Sequence, residues 1–273
     1  MAVLNTGLAT PARGFTIPYS CRFEDGSSAY LSRTPSSASN QKTWTWSAWI
    51  KFGNVGGGGY FISCYQDSNN RSMLNVTGDK LEITNKVGGT KTTSWGVTPL
   101  FRDPSAWYHI VWAIDTTDDT EVDRLKLFVN GERVDEHTKT NYPSLNEDFF
   151  INSTTIHTLG ARSDDSNYID GYMAEVHFID GTALTPSSFG ETGDYGEWKP
   201  KKVEGLTYGT NGFYLDFADA ADLGDDESGE GNDWAENNIT AADQMLDSPT
   251  NNFATLNPLW QDSSITLQEG NLR

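Results

Sequence analysis

The sequence predicts an all-β protein in which two antiparallel sheets pack face to face as a sandwich. Turn-forming residues occur throughout the chain, with 26 Gly among 273 residues, and no long stretch repeats with a helical period. Ten or more short segments instead alternate apolar and polar side chains between polar turns, a pattern typical of antiparallel sandwiches. Aromatic residues make up 12% of the chain, which is enough to fill a substantial core.

The first strands are predicted from turns and from alternation. Residues 21–33, CRFEDGSSAYLSR, form two short apolar stretches around Asp25–Gly26, which indicates a hairpin. Residues 42–52, KTWTWSAWIKF, alternate as a half-buried strand does, with Trp49 among the polar positions. Its apolar face carries Trp44, Trp46, Ala48, Ile50 and Phe52. Strand pairs turned by Gly78–Asp79 and by Asn130–Gly131 follow.

The closing strand of the sandwich is predicted within residues 168–186, YIDGYMAEVHFIDGTALTP. Its apolar side chains are Tyr172, Ala174, Val176 and Phe178. The intervening Glu175 and His177 are expected on the opposite face. Thr185–Pro186 then begins a single helical turn.

Composition divides the chain into three parts. Residues 1–20 are predicted to be an irregular N-terminal arm, and residues 21–195 the sandwich. Residues 196–273 form an acidic extension or the start of a further domain, because residues 203–272 hold 14 acidic and no basic side chains. We expect this extension to wrap the sandwich or to reach towards another subunit.

Charge and hydropathy exclude several classes of partner. The net charge of −19 argues against nucleic acid, whose affinity depends on phosphate contacts with basic residues. No segment is apolar for long enough to span a bilayer or to serve as a signal peptide. Cys21 and Cys64 are interpreted as ordinary strand residues, which could pair only if their strands are neighbours.

Four stretches together resemble a laminin G-like domain of the concanavalin A-like lectin/glucanase superfamily. They are FEDGSSAYLSRTPSSASNQKTWTWSAWIKF, AWYHIVWAID, LKLFVNGERV and LGARSDDSNYIDGYMAEVHFIDGTALT. They cover residues 21–190, and Ala174 stands where the family usually has Asp. The resemblance implies a jelly-roll sandwich with recognition loops at one rim.

The C-terminal part has a likeness of its own. FYLDFADAADLGDDESGEGNDW, LDSPTNNFATLNP and GYMAEVHFIDGTALTPSSFGE are similar to segments of tailed-phage structural proteins. The resemblance implies a virion protein of the tail-fibre or tail-tip type, assembled in the host cytoplasm and attached to a host surface glycan or to other virion proteins. A homo-oligomer is expected, with a trimer as the best single choice. The alternatives are a capsid decoration or cement protein without glycan binding, and a polysaccharide depolymerase.

A calcium site is implied by a further resemblance, to pentraxins, whose loops at two places supply Ca²⁺ ligands. The corresponding residues here are Asp67, Asn69, Asn70, Asp164 and Asp165. Carboxylate and amide oxygens suit Ca²⁺. The sequence departs from the pentraxin pattern at Arg162 and Ser163, and turns are rich in Asp, Asn and Ser without any metal.

Four aromatic residues are predicted to be exposed binding residues: Trp49, Trp95, Tyr195 and Trp198. Trp49 is out of phase with the apolar face of its strand, and the other three lie in turn-rich segments. Contacts with other proteins are favoured over sugar binding for this set.

Catalysis is not predicted. Retaining glycoside hydrolysis needs two carboxylates about 5 Å apart, and related enzymes place them on one strand as Glu-x-Asp-x-x-Glu or Glu-x-Asp-x-Glu. The pair Glu121 and Asp123 has no second Glu after it.

Overall fold

The fold is an antiparallel sandwich of two large sheets. The computed structural model describes residues 14–164, 166–254 and 256. Each large sheet has eight strands, so the predicted all-β, two-sheet architecture is confirmed. The described residues contain strands and short 3-10 turns and no α-helix. None of their helical segments is long and apolar enough to cross a membrane.

The first sheet has the order β10-β9-β8-β3-β13-β1-β18, with β16 also paired to β13. Its strands are β1 (Ser20–Phe23), β3 (Thr43–Phe52), β8 (Tyr108–Asp115), β9 (Leu125–Val129), β10 (Glu132–Arg133), β13 (Gly171–Asp180), β16 (Phe213–Leu215) and β18 (Gln244–Met245).

The second sheet has the order β11-β7-β6-β5-β4-β12-β2-β17. Its strands are β2 (Tyr30–Arg33), β4 (Gly58–Asp67), β5 (Asn70–Thr77), β6 (Lys80–Val87), β7 (Thr90–Val97), β11 (His137–Asn141), β12 (His157–Leu159) and β17 (Ala235–Asn237). A separate pair is formed by β14 (Gly190–Thr192) and β15 (Trp198–Pro200).

The core lies between the two sheets and is aromatic. Trp44 and Trp46 of β3, Trp112 of β8 and Phe61 of β4 are fully buried within it. The predicted apolar face of β3 is the one that points to this core. Cys21 and Cys64 are also buried in the core as free thiols, on strands of different sheets.

Two of the three predicted hairpins are confirmed. β5 pairs with β6 across Gly78–Asp79, and β9 pairs with β10 across Asn130–Gly131. Asn130 and Gly131 both have positive φ, 50° and 84°, as a tight hairpin turn requires. The predicted helical turn is a 3-10 turn, Pro186–Ser188.

The hairpin predicted for residues 21–33 is wrong. β1 belongs to the first sheet and β2 to the second. A 3-10 turn, Asp25–Ser27, followed by Ser28 at φ 59°, carries the chain from one sheet to the other. An Asp-Gly turn therefore ends the strand here without pairing it to the next one.

The predicted alternation in the closing strand is also wrong in its first half. Glu175 has φ 49°, and the register between β13 and β3 shifts between Ala174 and His177. This bulge reverses the phase. Val176 faces the core, whereas Tyr172 and Ala174 pack on the outer face of the first sheet.

The acidic C-terminal segment contributes strands to both large sheets. β16 pairs with β13, β17 pairs with β2, and β18 pairs with β1. This segment is thus woven into the sandwich that the preceding strands form. The boundaries at residues 20 and 195 stay predictions.

The outer face of the first sheet, called the covered face below, lies beneath other parts of the chain. Side chains from both ends pack on it: Phe15, Ile17, Phe189, Trp198, Tyr208 and Met245. β3 is therefore buried on both sides rather than half-buried as predicted, and nine of its ten residues are buried.

A buried ion pair holds residues 247–253 against the covered face. The Lys51 Nζ, fully buried, donates to Asp247 Oδ2 at 2.7 Å and to Asn252 Oδ1 at 2.8 Å. The Phe253 carbonyl accepts a third hydrogen bond at 2.7 Å. Trp107 Nε1 donates to Asp247 Oδ1 at 3.0 Å, so every charge in the pair is hydrogen-bonded.

Candidate functional site

The outer face of the second sheet differs from the covered face because it presents polar and aromatic side chains to solvent. Leu74 and Val76 of β5 point to the core. Because side chains alternate along a strand, the odd-numbered residues of β5 point outwards. Arg71 is directly opposite Tyr65 of β4 in the register. Both side chains are half-buried, which leaves part of each accessible.

The ring of Tyr65 lies close to two guanidinium groups. Cζ of Arg71 is 5.7 Å from the ring centroid and Cζ of Arg162 is 5.4 Å from it. Both distances are within the range of a cation–π interaction. Arg162 comes from the loop after β12, so a neighbouring strand and a distant loop meet at one ring. This group, Tyr65 with Arg71 and Arg162, is called the open face below.

A carboxylate fixes one of the two guanidinium groups. Arg162 Nε and Nη2 donate to the two oxygens of Asp164, each at 2.7 Å. Ser166 Oγ donates to the same carboxylate at 2.8 Å. These hydrogen bonds, led by the one from Arg162, lower the pKa of Asp164. The bidentate pair orients the guanidinium plane beside the ring.

The turn between β4 and β5 is held by hydrogen bonds of its own. Asp67 Oδ1 accepts from the Asn69 N–H at 2.6 Å, and Asn70 Nδ2 donates to both Asp67 oxygens. The amide of Asn70, then the N–H of Asn69, lower the pKa of Asp67. Lys86 Nζ donates to the Ser68 carbonyl at 2.8 Å. The turn is thus ordered by protein donors.

The two loops predicted to share Ca²⁺ do come to the same aromatic ring, through Arg71 and Arg162. Both oxygens of Asp164 already accept hydrogen bonds from Arg162, so a cation would compete with the guanidinium there, and Ca²⁺ binding by Asp164 stays a prediction. Asp165 lies outside the described residues. Ca²⁺ binding by Asp67, Asn69 and Asn70 stays a prediction.

The four aromatic residues predicted for binding lie in different environments. Tyr195 is exposed over 96% of its surface and Trp198 is half-buried. The expected exposure of Trp49 and Trp95 is wrong, since only 5% and 2% of them are exposed.

Each of the two buried tryptophans has a physical reason for its burial. Trp49 lies on the covered face and stacks on His109, with centroids 4.8 Å apart. Trp95 points between the sheets and meets Trp112 edge to face at 5.7 Å. Trp95 is one of the residues that line a groove of about 300 Å³. The His137 ring stacks on it there, with the ring centroids 5.6 Å apart.

Trp198 is mainly a packing residue of the covered face. Its Nε1 donates to His109 Nδ1 at 3.0 Å, and the two rings stack with centroids 5.9 Å apart. A Cβ added to Gly131 would lie 2.4 Å from the Trp198 ring, so glycine is required beneath it.

The carboxylates considered for hydrolysis lie on an exposed turn. Glu121 and Asp123 belong to the 3-10 turn Glu121–Asp123, not to one face of a strand. Asp123 Oδ1 pairs with Arg133 Nη1 at 3.2 Å and with Lys126 Nζ at 3.3 Å. The hydrogen bonds from Arg133, then Lys126, lower the pKa of Asp123, which opposes a role as general acid.

Sequence reasoning missed Tyr65 and Arg71, and it treated Arg162 only as a departure from a metal site. The available signal was the strand YFISCY, which alternates into Tyr65. A bulge between Tyr60 and Ile62 obscures that alternation. The meeting with Arg162 depends on a contact across about a hundred residues, which no local pattern contains.

Comparisons with known proteins agree with this architecture. A family model described as the concanavalin A-like lectin/glucanases superfamily matches residues 25–188. No curated protein matches the sequence. A putative carbohydrate-binding protein from Bacteroides ovatus has a similar structure, with a TM-score of 0.54 and 17% identity, over 83% of this chain and 60% of that one. The likeness shows the fold.

Two other solved structures are more distant. A heptameric pentraxin from Limulus polyphemus gives a TM-score of 0.44 and 16% identity over 63% of this chain and 80% of that one. The enzymatically active domain of tailspike protein 2 of bacteriophage CBA120 gives 0.42 and 14%, over 58% of this chain and 25% of that one.

Proposed function

Because the chain belongs to the concanavalin A-like lectin/glucanases superfamily, we propose that it is an attachment protein that binds glycans at the open face. Binding without hydrolysis is the activity proposed. The observation that carries the proposal is the partly accessible Tyr65 ring with the Arg71 and Arg162 guanidinium groups close to it.

The chemistry of this group suits a sugar. An aromatic ring gives an apolar surface for the C–H face of a pyranose, and the guanidinium groups donate several hydrogen bonds in fixed directions. Guanidinium also binds carboxylate in a bidentate manner. Arg162 is already paired with Asp164, which leaves Arg71 as the guanidinium that would engage the carboxylate of an acidic glycan, the preferred ligand.

The biological setting that we propose is a phage virion. The support is the similarity of residues 171–191, 213–234 and 246–258 to segments of tailed-phage structural proteins. A tail-fibre or tail-tip protein, assembled in the host cytoplasm as a homo-oligomer such as a trimer, would use the open face to attach to a host glycan or to another virion protein. A capsid decoration protein without a ligand is the rival assignment.

Glycan binding is tested by screening the full chain on immobilised neutral and acidic glycans and then titrating the best ligand. Tyr65→Ala is expected to weaken binding about tenfold, as the loss of an anchor worth about 1.4 kcal/mol would. Tyr195→Ala removes the exposed tyrosine that the sequence predicted for binding, and it should bind as the parent does if the open face is the site. Equal affinity of the parent and Tyr65→Ala would refute the open face as the site.

Two further measurements separate the rivals. Incubation with host capsule should yield no new reducing ends; their appearance would make the protein a depolymerase. Antibody labelling of purified particles should decorate the tail, whereas label on the head would favour the decoration protein.

A further inference from the structure

Three carboxylates converge where the β1–β13 pair ends. Glu24 and Asp25 directly follow β1, and Asp170 directly precedes β13. Because Phe23 pairs with Gly171, the next residues of the two antiparallel strands, Glu24 and Asp170, are neighbours. One ligand atom from each of the three acids lies within 4.8 Å of the other two.

Asp170 is the buried member of this group, and one of its oxygens lacks a protein partner. Only 9% of the residue is exposed, and its Oδ1 accepts no hydrogen bond from the described residues. Its backbone carbonyl, by contrast, accepts from the Gly53 N–H at 2.8 Å. A buried polar atom without a partner is costly, so this oxygen calls for a ligand that the described chain does not supply.

The basic side chains of the adjoining strands form ion pairs with other acids. Arg22 of β1 pairs with Asp243 at 2.9 Å, and Lys51 of β3 pairs with Asp247 at 2.7 Å. The charge of Arg22 lowers the pKa of Asp170, yet burial, together with Asp25 and Glu24, outweighs it and raises that pKa to about 7. Burial beside two other acids thus disfavours the charged carboxylate, and a bound cation would relieve that.

The backbone makes room for the buried carboxylate. A Cβ added to Gly53 would lie 2.8 Å from Asp170 Oδ2 and 3.0 Å from Oδ1. Any larger residue at this position would push the carboxylate away. The glycine after β3 thus allows the acid to lie directly over the end of the strand.

We propose that Glu24, Asp25 and Asp170 bind one divalent cation, Ca²⁺. The three side chains supply only oxygen ligands, which Ca²⁺ prefers, whereas zinc sites favour nitrogen and sulfur. Asp25 is exposed and Glu24 half-buried, so water can complete the coordination shell that Ca²⁺ requires.

The ion would join elements that are far apart in sequence. Glu24 and Asp25 begin the turn that crosses from the first sheet to the second, and Asp170 directly precedes the closing strand. A bound cation would therefore tie this crossing to β13. None of its ligands belongs to the open face, so the site is independent of glycan binding.

The test uses the full chain after treatment with EDTA. Calorimetric titration with CaCl₂ should show one site, and Ca²⁺ should raise the melting temperature as a ligand of the folded state does. Asp170→Asn, which keeps the shape and removes the charge, should abolish both effects. Asp25→Asn, at an exposed position that does not threaten folding, should weaken Ca²⁺ binding about tenfold or more.

Asp67→Asn is the matched control, because it removes an exposed acid from the loop predicted from sequence. If the cation binds at Glu24, Asp25 and Asp170 and not at the loop of Asp67, this variant keeps the parent's affinity for Ca²⁺. The proposal is overturned if the parent binds no Ca²⁺, if Asp25→Asn and Asp170→Asn bind as the parent does, or if Asp67→Asn alone abolishes binding. Should Asp170→Asn not fold, Asp25→Asn decides.

Discussion

The two outer faces of the sandwich differ in what lies over them. The covered face of the first sheet is buried under residues from both ends of the described chain, including Trp198 and Met245. The outer face of the second sheet leaves Tyr65 and Arg71 partly accessible. One face has become a second core, and the other remains available for a partner.

Each face carries an ion pair, and the two pairs differ in how far they are exposed to solvent. On the covered face, the Lys51 and Asp247 side chains are 0% and 2% exposed. On the open face, the Arg162 and Asp164 side chains are 27% and 28% exposed. The first pair is expected to govern stability, because breaking a buried pair leaves an uncompensated charge. The second is expected to govern recognition.

The largest expected effect comes from Asp247→Ala. It would leave the buried Lys51 ammonium without its carboxylate and Trp107 Nε1 without its acceptor. Breaking a buried pair in this way costs about 3–5 kcal/mol. We expect that loss in the free energy of unfolding, measured by chemical denaturation.

The control for this change is Glu204→Gln, which removes an ion pair with Lys202 in which both side chains are about two-thirds exposed. Its effect should stay within about 0.5 kcal/mol. If Asp247→Ala were no worse than this control, residues 245–253 would not hold the covered face.

The sequence predicted the sandwich well because its core strands follow local rules. Trp44 and Trp46 alternate with polar residues, and Asn130–Gly131 can adopt the positive φ of a tight turn. Where a local rule was broken, prediction failed. Glu175 in a bulge inverted the face of Tyr172, and no local signal marks that bulge.

The candidate sites depend on contacts between distant segments, which explains why they could not be read from sequence. Trp49 lies on the polar side of its strand, so its exposure was a sound local expectation. The chain that buries it includes Trp198, about 150 residues later. The convergence of Glu24 and Asp170 likewise follows from strand pairing and not from spacing.

The next effect in size concerns a residue that packs on the covered face. Trp198→Phe keeps most of the packing but leaves His109 Nδ1 without its donor. An unsatisfied buried acceptor costs about 1–3 kcal/mol, which denaturation should reveal. Affinity for the glycan should not change, and a loss of affinity without a loss of stability would return Trp198 to the binding residues.

The free energy of unfolding should depend on pH through His109, which is also buried on the covered face. Burial, and next the charge of His177, lower the pKa of His109 to about 3. The folded protein therefore keeps His109 neutral while the unfolded chain takes up a proton below about pH 6.5. Stability should fall as the pH drops from about 6.5 towards about 3, with a slope from this group that approaches about 1.4 kcal/mol per pH unit below about pH 5.5.

His109→Gln isolates that contribution, because Gln offers both an acceptor for Trp198 and a donor for Ser47, the present partners of the imidazole. The measured quantity is the difference in unfolding free energy between the parent and the variant at several pH values. A difference that stays constant with pH would mean that His109 becomes protonated in the folded state.

The smallest stability effect is expected on the open face. Asp164→Asn removes one partner of a partly exposed ion pair, and such pairs contribute about 0–1 kcal/mol. It also frees the Arg162 guanidinium from its fixed position beside Tyr65. Glycan affinity should therefore fall while the melting temperature barely moves, with Glu191→Gln on the exposed Lys199 pair as the control. If Asp164→Asn instead destabilised the fold as strongly as Asp247→Ala, this face would be structural like the covered one, and the distinction between the two faces would be lost.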